Sequence, residues 1–261
     1  MNKLEKQLSL LLKDLKENYN VIKIRAEFES EASRMVELSR LKDVVSSAGL
    51  TLMMNIGGVG AGTDIYNCLT IGAGGIVAPM VETAFAMSKY IKAIEKFVPE
   101  DNRKDMEFSA IIETITAYKN IDEILSTRGI DLLSIMTIGR NDFIASMGLD
   151  RNSANSKEML KICRDIFKKL KAKGFKTGLG GAISPEAIPF LKQLNEENLI
   201  DEFETMKVVF KNSLINKNIK EGILKAVEFE LLWLKTKKSY YSRVNIEDDI
   251  RIEMLETRLK N

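Results

Sequence analysis

The stretch from Ile111 to Leu149 constrains the fold more than any other part of the chain. It holds an apolar strand that closes on Glu113, a helix-length segment over residues 116–127, and a second apolar strand that Asp142 follows. Two strands joined by a crossover helix are typical of a parallel sheet with helices packed against it. The stretch therefore predicts a β-α-β unit with a carboxylate at the carboxyl end of each strand.

Glu113 and Asp142 should lie close together, because the carboxyl ends of parallel strands meet at one edge, where the active sites of parallel α/β folds collect. Hard divalent cations take carboxylate oxygens as ligands. We therefore predict a Mg²⁺ or Mn²⁺ site at this pair. The alternative is that the two carboxylates serve only as helix caps or ion-pair partners, which are common in loops.

The alternation of strand and helix patterns continues along most of the chain and predicts an α/β fold with a parallel sheet. The 261 residues leave room for one (β/α)8 barrel, which needs roughly 250 residues. The pattern predicts seven strands, one fewer than a closed barrel requires, so either the barrel lacks a strand or one strand is missed. The predicted strands cover residues 21–28, 50–56, 75–79, 107–112, 132–138, 175–178 and 203–210.

After residue 210 the pattern changes to helix alone. Two amphipathic segments, Ile219–Lys235 and Ile246–Leu259, predict two helices. We divide the chain into a TIM-barrel-like catalytic domain, 1–211, which includes an N-terminal helix, and a C-terminal helical extension, 212–261. The apolar faces of added helices need partners, so we predict that they join the subunits of a homo-oligomer. The alternative is that they cap the bottom of their own barrel.

The chain contains no histidine, which excludes Ser-His-Asp and Cys-His catalysis and zinc sites with imidazole ligands. Carboxylates, lysines, tyrosines, cysteines and metal-bound water remain as acids and bases.

A net charge of +2 gives no electrostatic case for a nucleic acid partner. The charged N-terminal segment is unlike a signal peptide, and no run of about 18 apolar residues spans a membrane. Cys68 and Cys163 show no CxxC spacing, so we expect a cytoplasmic protein.

The segment Val21–Glu29 is unusual for a strand of a buried parallel sheet, which should be apolar almost throughout. Because strand side chains alternate between faces, Lys23, Arg25 and Glu27 share one face. Inside a barrel they would form a polar active-site floor, with Lys23 or Arg25 holding a carboxylate or phosphate and Glu27 moving protons. The alternative is an edge strand whose charged face meets solvent.

Two glycine-rich loops follow strands and are candidate substrate-binding segments. Gly180 and Gly181 precede a helix predicted to begin at Ser184, and exposed backbone N–H groups beside a helix N-terminus attract anions. Gly58 belongs to the other loop, 57–62, whose spacing is not the dinucleotide-binding GxGxxG pattern. Both loops are equally compatible with tight turns between strand and helix.

Two cations are further substrate-binding candidates. Lys207 lies in the last predicted strand, where an inward and desolvated lysine could form a Schiff base. The simpler interpretation is an electrostatic partner for Glu204 or for an anion. Arg140 lies two residues before Asp142, at the end of the strand that precedes it.

Several of these segments resemble the HpcH/HpaI aldolase and citrate lyase β-subunit family. They are Glu113-Thr114, Gly139-Arg140-Asn141-Asp142, Met147-Gly148-Leu149 and the strand end Ile76–Val81. Members of the family are metal-dependent (β/α)8 barrels of the pyruvate/phosphoenolpyruvate type. The resemblance extends from about Val21 to Phe210 and implies that Glu113 and Asp142 bind a divalent metal that chelates a 2-oxo acid. It also implies that the first family strand is missing or replaced by the N-terminal helix, and that C-terminal helices are exchanged between subunits.

The chain departs from the family pattern at two positions. Aldolases of the family carry a catalytic histidine near the end of the strand that matches residues 21–28, where this chain has Phe28. Pyruvate aldolases carry an arginine for the oxo-acid carboxylate after the next strand, where this chain has Asn55. Both departures put the standard aldol mechanism in doubt and leave the metal pair untouched. Asn55 stays a substrate-binding candidate.

These features together imply a divalent-metal-dependent carbon–carbon lyase or aldolase that acts on a 2-oxo acid of the pyruvate or phosphoenolpyruvate type through a metal-stabilised enolate. One alternative is an acyl-CoA or citrate-type lyase, or a phosphoenolpyruvate-dependent transferase, on the same barrel. Another is a non-catalytic oligomeric scaffold that kept the fold. The absence of histidine favours the scaffold, and the pair Glu113 and Asp142 argues against it.

Overall fold

Eight strands close into a barrel in the order of the chain, and the computed structural model describes residues 1–260, with side chains for residues 1–258. The strands are β1 (Val21–Glu27), β2 (Thr51–Asn55), β3 (Gly75–Ala78), β4 (Glu107–Ile112), β5 (Ile135–Gly139), β6 (Lys176–Gly180), β7 (Glu202–Glu204) and β8 (Val208–Lys211). Each pair from β1·β2 to β6·β7 is parallel, which confirms the predicted TIM-barrel-like α/β fold.

The helices surround this barrel. They are α1 (Lys3–Tyr19), α2 (Met35–Ser47), α3 (Gly62–Thr70), α4 (Ala84–Phe97), α5 (Glu100–Asp105), α6 (Ile115–Lys119), α7 (Ile121–Ile124), α8 (Arg140–Ser146), α9 (Lys157–Ala172), α10 (Ile188–Glu196) and α11 (Ile219–Lys260). In α9 the buried Met159, Cys163, Ile166 and Leu170 recur every three or four residues, so one face of the helix packs inward. Ser156 caps this helix by accepting a hydrogen bond from the backbone N–H of Met159.

The eighth strand is hidden in the sequence pattern. Residues 203–210, predicted as one strand, contain parts of both β7 and β8, which pair antiparallel around a turn at residues 205–207. The Thr205 N–H donates to the Val208 carbonyl at 3.0 Å and closes the turn. β8 also pairs antiparallel with β1 and completes the barrel. Of the two explanations for the count of seven, the missed strand is therefore correct: apolar residues on both sides of a short turn look like one continuous strand.

The C-terminal extension is one helix of 42 residues, α11, where two helices were predicted. Residues 236–245 contain neither proline nor glycine, so the polar stretch between the two predicted helices does not break the hydrogen-bond ladder. The first half of α11 packs against α1 and buries Ile223, Phe229 and Trp233. The predicted contribution of Leu259 lies outside the side chains that the structure describes.

The barrel interior is lined by both charged and apolar side chains, whereas the layer between barrel and helices forms the main apolar core. The only separate apolar cluster that the described residues form is Met53, Val77 and Ile111, on three neighbouring strands. The interior space holds four carboxylate and cation side chains from β1 and β7 among its lining residues. None of the helices described in residues 1–260 has a stretch long and apolar enough to cross a membrane.

Candidate active site

The lower part of the barrel interior is closed by ion pairs. Lys23 on β1 donates to Glu107 at 2.8 Å and to Glu202 at 2.9 Å. Burial opposes the charge on Lys23, but the two carboxylates outweigh it and raise the pKa of the ammonium group. Lys23 thus lies at the level where β4 and β7 begin, at the end of the barrel opposite the strand ends that carry Glu113. We name Lys23, Glu107 and Glu202 the floor.

Arg25 occupies the middle of the interior, one pleat above Lys23. Its guanidinium makes an ion pair with Glu204 of β7, and Nη2 donates to Oδ1 of Asn55 at 2.6 Å. Burial opposes the charge, but Glu204 outweighs it and raises the pKa of Arg25. The side chains of Lys23 and Arg25 therefore face inward as predicted, and β1 is no edge strand, because β2 and β8 pair with its two sides.

Glu27 stands at the upper end of β1. Its Oε1 accepts a hydrogen bond from Nδ2 of Asn55 at 3.1 Å, and Ser30 donates its hydroxyl to Oε2. Burial raises the pKa of Glu27, and the bond from Ser30 opposes that rise. Phe28, the next residue, packs partly buried against the apolar core. Arg25, Asn55 and Glu27 thus form a hydrogen-bonded chain that fixes the direction of the Glu27 carboxylate.

Glu113 follows β4 directly and is almost fully buried. Its Oε1 accepts a hydrogen bond from the backbone N–H of Met80 at 2.7 Å, whereas its Oε2 accepts none from the side chains and backbone described. Burial raises its pKa to about 7; the bond from Met80 opposes this rise and the charge of Asp142 adds to it. A carboxylate with no paired cation and a free oxygen is suited to bind one.

Gly139, the last residue of β5, makes room for this carboxylate. A Cβ at position 139 would lie 2.6 Å from Oε2 of Glu113, so any larger residue would displace the carboxylate. Asp142 lies in the first turn of α8, three residues further on, with its side chain exposed. Glu113 and Asp142 thus both lie at the upper edge, near enough for the charge of Asp142 to raise the pKa of Glu113. We name Glu27, Glu113 and Asp142 the rim.

No group of three or more aspartate, glutamate or cysteine side chains is placed to hold a metal ion within the part of the chain that the structure describes. Glu113 and Asp142 alone would therefore offer two carboxylates to a cation. That number fits Mg²⁺ or Mn²⁺, which keep several water ligands and bind through one or two carboxylates plus substrate oxygens.

Arg140 is buried, and its guanidinium contacts the loop after β6 and the segment around residue 154. It donates to the carbonyls of Ala154 at 3.0 Å, Gly181 at 2.6 Å and Ala182 at 3.2 Å, and to Asn155 Oδ1 at 2.8 Å. Burial lowers the pKa of Arg140 to about 10. These contacts use the donors of the guanidinium to hold the loop in place.

The three glycines predicted to bind substrate have different surroundings. A Cβ at Gly180 would lie 2.8 Å from Oε1 of Glu204, and one at Gly181 would lie 2.6 Å from the N atom of Asn141. Gly181 also has a φ of 74°, which favours glycine. Both glycines therefore let the β6 loop approach its neighbours closely. Gly58 has open space around it and lies in the loop after β2.

Lys207 is 2% exposed and lies in the turn between β7 and β8. Its ammonium group pairs with Glu31, in the loop after β1, so its partner is Glu31 and not Glu204, which pairs with Arg25. This pair joins the β7–β8 turn to the loop that carries Ser30. A buried, paired ammonium group does not offer the free amine that a Schiff base needs.

Sequence reasoning missed three carboxylates that neutralise the interior cations, Glu31, Glu107 and Glu202, and it named Glu204 with Lys207 as its partner, where the structure has Arg25. The Glu-Phe-Glu order of β7 repeats the polar–apolar alternation of β1 and was a usable signal. Nothing local marked Glu107 or Glu31. Glu82, which accepts a hydrogen bond from Thr114 at 2.8 Å beside Glu113, was also missed.

The fold and the rim define a β/α-barrel protein with carboxylates at the strand ends where enzymes of this architecture carry their active sites. The family model for HpcH/HpaI aldolase/citrate lyase matches residues 39–179, more than half of the chain, and the chain belongs to this family. A search of curated protein sequences found no match.

Solved structures support the fold at low sequence identity. The HpcH/HpaI aldolase from Desulfitobacterium hafniense DCB-2 superposes with a TM-score of 0.61 at 16% identity, over 76% of this chain and 81% of that one. Citrate synthase SbnG gives 0.62 at 17% identity, over 88% and 90%. A lead(II) complex of malate synthase from Haloferax volcanii gives 0.53 at 11% identity, over 76% and 62%.

Proposed function

We propose that this protein is a divalent-metal-dependent carbon–carbon lyase or aldolase that acts on a 2-oxo acid of the pyruvate or phosphoenolpyruvate type. The observation that carries the proposal is the state of Glu113: it is buried, its Oε2 is free of hydrogen bonds from the described residues, and Asp142 adds negative charge beside it. The interior cations Lys23 and Arg25 are each paired with other carboxylates, so neither of them is free to neutralise Glu113 and Asp142.

Glu113 and Asp142 are the residues that would hold Mg²⁺ or Mn²⁺. The donor set is all oxygen, which suits these hard cations and is a poor set for zinc in a chain without histidine. When bound, the cation supplies Lewis acidity that polarises a 2-oxo acid and stabilises the negative charge of its enolate.

Glu27 is the residue we assign to proton transfer. Its carboxylate has a pKa raised by burial, which brings it closer to the pH at which a base works well. Asn55 donates to one oxygen and so orients the carboxylate, while Arg25 holds the amide of Asn55. Arg25 is therefore a positioning residue, and Lys23, in the floor, supports the barrel and does not reach the rim.

A citrate-type lyase or synthase on the same barrel is the second candidate. Phe28 and Asn55 replace the histidine and arginine that the resemblance to the aldolases requires. One of the similar structures is a citrate synthase at 17% identity. The two candidates share the rim and differ in the second substrate, which would be an acceptor aldehyde or an acyl donor.

The test is calorimetric titration of the chelator-treated protein with Mn²⁺ and Mg²⁺, alone and with pyruvate, oxaloacetate or phosphoenolpyruvate. We expect the cation to bind more tightly when one of these acids is present, and Asp142→Ala to abolish this effect. Asp131→Ala is the matched control, because Asp131 is exposed and lies just before β5, at its other end. Unchanged binding in Asp142→Ala, or no binding by the unaltered protein, would overturn the proposal.

A further inference from the structure

The loop after β1, residues 28–34, folds back on itself at the upper end of the strand. The Ala32 N–H donates to the Glu29 carbonyl at 3.0 Å, and the Ser33 N–H donates to the Glu27 carbonyl at 3.3 Å. Ala32 has a φ of 46°, in the left-handed region that is unfavourable for a residue with a Cβ. Because four of its seven residues are exposed, the loop depends on specific contacts to keep this shape.

Glu31, in the middle of the loop, makes these contacts. Its carboxylate pairs with the ammonium group of Lys207, and its Oε2 accepts a hydrogen bond from the backbone N–H of Glu27 at 3.1 Å. The loop is therefore joined to the end of β1 and to the turn between β7 and β8 through one side chain.

Lys207 is a fixed anchor for this ion pair. It is 2% exposed, and its carbonyl accepts a hydrogen bond from the backbone N–H of Arg25 at 2.8 Å, so the turn that carries it is attached to β1. A buried ammonium group is costly unless a carboxylate in contact neutralises it. That cost favours the loop conformation in which Glu31 stays in contact with Lys207.

A second carboxylate, Glu230 of α11, lies near the same ammonium group. Burial raises the pKa of Glu230; the charge of Lys207 opposes this rise, and the charge of Glu31 adds to it. Lys207 therefore has two acids nearby, and the loop contributes the one in contact with it. Either acid can neutralise the buried ammonium group, but only Glu31 can hold the loop.

The loop also brings Ser30 to the carboxylate of Glu27. Ser30 directly precedes Glu31, and its hydroxyl donates to Oε2 of Glu27, whereas Asn55 donates to Oε1. Ser30 is exposed, so packing of its own side chain does not fix it there. Its position depends on the contacts of Glu31, the next residue in the chain.

We propose that Lys207 is a positioning residue for Glu27: its ion pair with Glu31 holds the loop after β1, and the loop presents Ser30 to the Glu27 carboxylate. This role rests on the proposed function, in which Glu27 transfers the proton. Asn55 and Ser30 then fix one oxygen each, so the direction of the carboxylate is set on both sides.

The first experiment measures hydrogen exchange of single backbone amides by NMR in the metal-free protein. Lys207→Met should speed exchange of the Ala32 and Ser33 amides by about tenfold or more, because the loop loses its ion pair. Glu31→Gln should do the same. The Phe28 amide is the internal control, because it donates to β2 at 3.0 Å and does not depend on the loop.

Glu230→Gln is the matched control, since it removes a carboxylate near Lys207 that does not belong to the loop. It should leave exchange of the loop amides within about twofold. Glu31→Gln leaves Glu230 to neutralise Lys207, so it should lower the midpoint of thermal unfolding less than Lys207→Met does. Glu31→Gln decides the outcome if Lys207→Met does not fold. Loop exchange that Glu31→Gln leaves unchanged, or that Glu230→Gln raises equally, would overturn the proposal.

The second experiment follows proton transfer with pyruvate as the probe, in D₂O with Mg²⁺. Glu27 would take a proton from the methyl carbon of pyruvate and return a deuteron from solvent, which NMR detects as loss of the methyl proton signal. Lys207→Met should shift the acid limb of the pH–rate profile to higher pH, as should Ser30→Ala, because both remove the hydroxyl from Glu27. The double variant should shift it no further than either single variant.

Shifts that add in the double variant would show that Lys207 does not act through Ser30 and would overturn the proposal. The proposed function fails separately. If the unaltered protein exchanged no methyl protons of pyruvate, Glu27 would lose its role on that substrate, and the amide exchange would still decide whether Lys207 holds the loop.

Discussion

The floor and the rim of the barrel differ in whether a buried charged side chain has an oppositely charged partner. In the floor, Lys23 contacts Glu107 and Glu202, and its pKa rises because their charges outweigh the effect of burial. In the rim, Glu113 contacts no cation among the side chains that the structure describes, and burial raises its pKa to about 7. Both regions take residues from β1 and β4: Lys23 and Glu107 belong to the floor, and Glu27 and Glu113, which directly follows β4, belong to the rim.

Under the proposed function, the difference separates charges that stabilise the fold from a pair of carboxylates that binds a cation. A buried charge is costly unless it is paired, so evolution of a stable barrel favours the arrangement of the floor. An unpaired carboxylate is retained at a cost in stability, and such groups concentrate at functional sites. Four substitutions test this contrast, from the largest expected effect to the smallest.

Lys23→Met should lower the free energy of unfolding by about 3 kcal/mol, because it leaves Glu107 and Glu202 together without a cation. Urea denaturation at neutral pH measures the change. Lys168→Met, at an exposed position on α9, is the control for loss of one positive charge. Adding Glu202→Gln to Lys23→Met should recover part of the loss. If Lys23→Met cost no more than Lys168→Met, the floor would have no structural role.

Asp142→Asn should weaken metal binding strongly and change stability little, which is the reverse of the effect expected for Lys23→Met. We expect Mn²⁺ affinity to fall by more than about a hundredfold. Mutating a residue that only hydrogen-bonds to a metal ligand already lowers metal affinity by about 10- to 100-fold. The free energy of unfolding should change by less than about 0.5 kcal/mol, because Asp142 is exposed. Calorimetry and urea denaturation of the same preparation give both numbers. A large loss of stability with intact Mn²⁺ binding would assign Asp142 to the structure instead.

Glu113→Gln should stabilise the metal-free protein at high pH. The folded-state pKa of Glu113 is about 7, above the value of 4.5 for an ordinary glutamate. Ionisation of Glu113 therefore disfavours the folded state increasingly as the pH rises from the lower value to the higher one. The variant should gain on the order of 2–3 kcal/mol above pH 7 and nothing below pH 4.5. Thermal unfolding in chelator across this pH range measures the difference, and a gain that did not depend on pH would exclude titration as its cause.

Ser30→Ala should have the smallest effect on stability, within about 0.5 kcal/mol, because Ser30 is exposed. The hydroxyl of Ser30 donates to Glu27 and lowers its pKa, so removal should move the pKa of Glu27 upward. The acid limb of the pH–activity profile should therefore shift to higher pH, whereas the control Ser242→Ala, at another exposed position, should leave it unchanged. If Ser30→Ala did not shift the profile, Glu27 would not be the residue that transfers the proton.

Local patterns in the sequence were sufficient to predict the barrel and the placement of several charged side chains within it. The alternation of strands and helices predicted the barrel, and the positions of Glu113 and Asp142 after successive strands predicted the rim, because parallel strands end at one edge. The two-residue period of β1 predicted that Lys23, Arg25 and Glu27 face one side. Each of these inferences depends only on neighbours within one or two elements.

The tertiary structure decided the partners of those side chains. Lys23 meets Glu107 and Glu202, 84 and 179 residues away, and Arg25 meets Glu204, also 179 residues away. Arg140, a substrate candidate from its position, donates to carbonyls of the β6 loop. The separation of β7 from β8 was also missed, because apolar residues on both sides of the short turn at residues 205–207 look like one continuous strand. Secondary structure follows from local periodicity, but the charge balance of a barrel interior depends on which strands closure brings face to face.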